Sequence, residues 1–181
     1  TRFVNKGHIA RAALEATAAR GVVQRQHLIP DSLPTLAKPG KKVLARVFTS
    51  APLPLPVNSL TARFEHYVSL GPVARAAHVA FSDQMVSACS PTARGAWGAA
   101  MYRLDVLSGL DKVTVPTVVV SGSADLLTPP KHSIEMARAL SSRGFLHSHT
   151  TYEGSGHMVP FERADAFNAL LDDLLVGVSE A

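Results

Sequence analysis

Residues 113–175, VTVPTVVVSGSADLLTPPKHSIEMARALSSRGFLHSHTTYEGSGHMVPFERADAFNALLDDLL, decide the fold. The β-branched run VTVPTVVVSG, closed by Gly122, has the unbroken apolar character of a strand buried on both faces of a parallel sheet. PPKHSIEMARALSSRG then carries proline in its first turn, Ile134, Ala137 and Leu140 on one side and Gly144 beyond its end, which predicts a helix. FLHSHTTYEG supplies a second strand, ended by Gly154 and Gly156. FERADAFNALLDDLLVGV places Ala166, Phe167, Leu170, Leu171, Leu174 and Leu175 at a helical period. Strand, helix, strand, helix over about 65 residues is a βαβα unit, so the fold class is α/β with an open parallel sheet. Such a pair of strands needs partners, because its edges and both faces must be covered.

Upstream the pattern differs. Residues 8–20, HIARAALEATAAR, repeat alanine at helical spacing with Gly21 as a C-terminal cap, and predict a helix. Six prolines between Pro30 and Pro56 predict irregular turns, since proline fixes the backbone and removes a donor. Residues 58–106 read as two or three helices. The division expected is a mostly helical region over 1–110 and a sheet-bearing region over 111–181.

In open parallel sheets, reactive side chains collect where the strands end at their carboxyl termini. Asp125 lies just after the first strand and His157 just after the second. If the strands are parallel neighbours, both loops face one rim and an imidazole can meet a carboxylate. Histidine shuttles protons near neutrality, and the carboxylate holds its ring in one tautomer and stabilises the imidazolium. The glycines flanking Ser155 let the backbone turn sharply there.

VPTVVVSGSADLLTPP resembles the acid-bearing strand and loop of α/β-hydrolases, and GSGHMVPFERADAFNALLDDLL resembles their histidine loop and terminal helix. The order, acid and then histidine about thirty residues later, is that of the family. The resemblance spans roughly residues 112–176 and implies that Asp125 is the triad acid and His157 the triad histidine. It places residues 1–110 where the family inserts its cap, and the chain as the C-terminal part of an α/β-hydrolase. No serine here has glycine two places before and two after, so the nucleophile elbow is absent, as are the glycine-rich oxyanion loop and the early strands. The resemblance therefore implies an N-terminal half, in the same gene product or a separate chain, that supplies a serine. The expected activity is esterase- or lipase-like hydrolysis of a small hydrophobic ester or acyl substrate, without cofactor or metal. Two alternatives stand beside it: an upstream aspartate nucleophile, as in epoxide hydrolases and dehalogenases, with Tyr67 or Tyr102 from the cap, and a non-catalytic binding module.

Other residues have plainer readings. Asp125 also suits a turn cap, His157 a buried hydrogen-bonded histidine and Ser155 a turn. Cys89 reads as a half-buried apolar side chain, His132, His147 and His149 as surface or strand positions without metal-site spacing, and Phe81, Met85, Trp97 and Met101 as cap core or acyl-pocket lining. Of 181 residues, 46% are hydrophobic and 18% charged, which calls for a packed core and excludes a disordered chain. Nine of the 18 basic residues precede position 50, but scattered and without interleaved aromatics, so nucleic acid is not an expected partner. No apolar run approaches the ~20 residues of a membrane span, making membrane association at most peripheral. No signal peptide is visible from Thr1 onward, and the single cysteine fits a reducing, cytoplasmic setting.

Overall fold

A computed structural model describes residues 9–28, 40, 43 and 59–176. Three parallel strands, β1 (Ala12–Glu15), β2 (Thr117–Gly122) and β3 (Leu146–Tyr152), form one sheet in the order β1-β2-β3. Every residue of β2 is buried, as its sequence requires. Its alternation divides the core between two faces. Val119 packs with Met136, Ala137 and Leu140 of the helix Lys131–Ser141. Val118 and Val120 pack with Val159 and with Leu174 of the helix Ala164–Leu175.

Between β1 and β2 the described residues include the α-helices α1 (Ser59–Ser69), α2 (Ala76–Ala88) and α3 (Pro91–Arg103). The helix over Lys131–Ser141 is accordingly α4, the single turn Val159–Glu162 is α5, and Ala164–Leu175 is α6. Ser90 caps α3 from the position before Pro91, its hydroxyl accepting from the Ala93 N–H. Leu28 and Val68 pack with Phe64 of α1 and with Leu127, which ties α1 to the loop after β2. Among the described residues no helix is long and apolar enough to cross a membrane.

The helix expected over residues 8–20 is corrected: Ala12–Glu15 is a strand, in register with Thr117–Val120 of β2. Alanine favours a helix by a fraction of a kcal/mol per residue. A strand buried on both faces must satisfy its backbone N–H and C=O groups along both edges, and that demand wins. β3 takes one edge of β2 and Ala12–Glu15 takes the other, with Leu14 against the Val119 cluster. This segment therefore stands with the sheet, not with α1–α3. The proline-rich stretch expected to be irregular lies outside the described residues, apart from Gly40 and Val43, which are helical.

Expectations for several single residues also change. Cys89 is exposed, because it follows the last turn of α2 and faces no packed element. Phe81, Met85 and Trp97 are exposed, which removes the cap-core reading and leaves the pocket-lining one open, and Phe81 meets Phe161 with ring centroids 4.9 Å apart. His132 is neither on the surface nor in a strand: it lies in the first turn of α4 at 1% exposure, with neither ring nitrogen hydrogen-bonded among the described residues.

Burial, reinforced by the charges of Arg25 and Lys131, pushes the His132 imidazole down to about 4. The unfolded chain binds this proton below the ordinary value of 6.5 while the folded chain refuses it until about pH 4. The contribution of His132 to stability is thus complete above 6.5 and falls as pH drops toward 4. Urea unfolding at pH 7 and pH 4.5 should show the wild type losing ~2–3 kcal/mol more than His132→Leu over that interval.

Candidate active site

Because all three strands run parallel, their carboxyl ends meet at one rim. The chain leaving β2 at Gly122 reaches Asp125 within three residues, and the chain leaving β3 at Tyr152 reaches His157 within five. The two side chains meet there: Asp125 Oδ2 lies 3.0 Å from His157 Nδ1.

The Asp125 carboxylate is fully buried and surrounded by donors. Its Oδ1 accepts from the N–H groups of Leu127 and Thr128, each at 2.8 Å. Its Oδ2 accepts from the Thr128 hydroxyl at 2.7 Å as well as from His157. Capping the turn and holding the histidine are therefore both done by this one side chain, one oxygen for each. Burial alone would raise its pKa, but the hydrogen bond and charge of His157, with the Thr128 donors, hold it below 3.8. For His157, burial favours the neutral ring, and the hydrogen bond and charge of Asp125, aided by Glu15 and Glu162, outweigh that and lift it above 6.5. The Asp125 contribution to folding is present above 3.8 and lost as pH falls through its lowered value; the His157 contribution is present below 6.5 and lost as pH rises through its raised value. The ion pair is strongest between those two limits. Donation from Nδ1 leaves the lone pair on Nε2, the nitrogen turned away from the acid.

The histidine loop is held in place backbone against backbone. A Cβ on Gly122 would lie 2.2 Å from the carbonyl oxygens of Ser155 and Gly156, and one on Gly71 would lie 2.1 Å from that of Gly154. The His157 N–H donates to the Ser69 carbonyl at 2.9 Å, and the Ala124 N–H to that of Ser155 at 2.9 Å. Of the glycines read as turn formers, Gly154 does have φ +73, whereas Gly156 serves close approach to Leu70 and Gly71. Ser155 is fully buried, its hydroxyl accepting from Arg163 Nε at 3.2 Å, in the turn role expected of it. His147 pairs with Asp173 at 2.9 Å and His149 with the Ser133 hydroxyl at 3.0 Å, both on β3 and away from the dyad.

Two residues escaped the reading of the sequence. Glu162, at the end of α5, is a buried carboxylate that accepts from three backbone N–H groups: Gly71 at 2.8 Å, Gly156 at 3.0 Å and Met158 at 3.2 Å. It binds both sides of His157 to the segment after α1. A glutamate five places beyond the histidine was the available signal. The other is Glu15, hidden inside a segment read as a helix. Replacing Glu162 by Gln sets an NH2 group against backbone donors and should cost ~2 kcal/mol. Amide hydrogen exchange at Gly156 and Met158 should quicken first, while that of β2 stays slow.

The serine aminopeptidase S33 family profile matches residues 5–164. Among solved structures, a thermophilic esterase from Thermogutta terrifontis superposes with a TM-score of 0.65 at 19% identity, over 91% of this chain and 55% of that one. A bromoperoxidase from Bacillus anthracis gives 0.62 at 15%, over 92% and 58%. An enol-lactonase from Burkholderia xenovorans LB400 gives 0.61 at 20%, over 92% and 56%. The chain thus spans little more than half the length of these structures, whose likeness at such identity is one of fold. No curated protein sequence matches it. With the family profile covering most of its length and its parallel sheet ending in an aspartate–histidine pair, the chain belongs to the serine aminopeptidase S33 family of α/β-hydrolases.

Proposed function

We propose that Asp125 and His157 are the acid and base of a Ser-His-Asp hydrolytic centre that cleaves an ester or similar acyl bond. The observation that carries this reading is the contact of 3.0 Å between Asp125 Oδ2 and His157 Nδ1, made by a carboxylate with no exposed surface. In that role Nε2 of His157 takes the proton of a serine hydroxyl as its oxygen attacks the acyl carbon, and returns it to the departing alcohol. Asp125 keeps the ring in one tautomer and stabilises the imidazolium between those steps. The serine comes from outside the 181 residues, in the same gene product or another chain, since no serine here sits in an elbow sequence. No cofactor enters the scheme.

Helices α1–α3 are the cap in this proposal. The exposed side chains of Phe81, Met85 and Trp97 favour a small hydrophobic, lipid-like ester, and an esterase and an enol-lactonase stand among the similar folds. The lone cysteine fits a cytoplasmic setting.

The chain alone should show no labelling by a fluorophosphonate probe and no turnover of p-nitrophenyl esters above the buffer rate. Labelling of one of its own serines would overturn the placement of the nucleophile. In protein that carries the nucleophile, His157→Ala and Asp125→Asn should each lower kcat about 10³- to 10⁴-fold with a much smaller change in KM. Activity should rise with pH through the raised His157 value, because only the neutral ring accepts a proton.

A further inference from the structure

Glu15 is the last residue of β1 and stands in register with Val120, two places before β2 ends. The next N–H, of Ala16, donates to the Val120 carbonyl at 3.0 Å, so Glu15 is fixed at the rim that bears Asp125 and His157. Ala16 is buried and has φ +39, the one positive value at a non-glycine among the described residues. A left-handed alanine costs ~1 kcal/mol, and here it turns the chain away directly after Glu15. The Glu15 Oε1 atom is buried and has no hydrogen-bond partner among the described residues. A carboxylate oxygen in that condition is costly unless a positive charge faces it.

The charged groups that act on Glu15 are His157, Asp125 and Glu162. Burial, with the two carboxylates, pushes its carboxyl up to about 7, and His157 draws it down. The influence is mutual, since the Glu15 charge raises His157. Asp125 cannot vary in this way, because four hydrogen bonds from Leu127, Thr128 and His157 already fix its charge. We propose that Glu15 is a second carboxylate of the site, a positioning residue that shares with Asp125 the stabilisation of a protonated His157. The inference extends the reading of His157 as the base. Glu15 and His157 titrate as a coupled pair, and above neutrality the charge of Glu15 joins that of Asp125 on the imidazolium.

The test follows the ring signal of His157 by NMR against pH in the whole chain, identified by its loss in His157→Asn. Relative to wild type, Glu15→Gln should lower the His157 midpoint by about half a pH unit or more, roughly threefold in proton affinity, with Glu15→Asp in between. Asp125→Asn should lower it further, and the double variant furthest. An unmoved midpoint in folded Glu15→Gln would overturn the inference while a shift in Asp125→Asn preserved the dyad; no shift in either would overturn both. The wild-type Glu15 carboxyl carbon provides a measurement that needs no variant: a midpoint near 7 supports the pairing and one below 5 refutes it.

Discussion

A strand with no exposed residue governs this molecule. β2 is covered by α4 on one face and by α6 on the other, so its only unsatisfied chemistry lies along its two edges. Parallel neighbours on both edges answer that need and bring three strand ends to a common rim. The meeting of Asp125 and His157 follows from this, because neither loop is long enough to carry its residue elsewhere. Core burial and site assembly are one event in this fold.

The rim is electrostatically crowded. Asp125, Glu162 and Glu15 are acidic, and the charge of His157 acts on Asp125 and Glu15 in return. Asp125 and Glu162 both accept from backbone donors, whose dipoles are fixed by the loops themselves. The Glu15 Oε1 atom has no such donor among the described residues. For Asp125 and Glu15 that difference accompanies a carboxyl held below its ordinary value and one pushed up to about 7.

Much of this is legible in the amino-acid sequence. The β-branched run ending at Gly122, the periodic leucines of α6 and the acid and histidine placed after two strands are local patterns, and each reports directly on burial or on a loop position. What escaped reading depends on partners distant in the chain. Ala12–Glu15 carries the composition of a helix and becomes a strand only because β2 has an open edge more than a hundred residues later. Gly71 and Gly122 differ in no visible way from turn glycines, yet their role is to let two backbones touch. Trp97 and Phe81 suit a cap core and an acyl-pocket lining alike in the sequence, and only their exposure removes the first.

The contact at Gly71 limits what this part of the chain can accept. The segment after α1 and the histidine loop share a seam with no room for even a methyl group, held by Glu162 and by the His157 N–H on the Ser69 carbonyl. Any side chain at Gly71 or Gly156 would have to part these two backbones, and parting them would displace the imidazole that one of them carries.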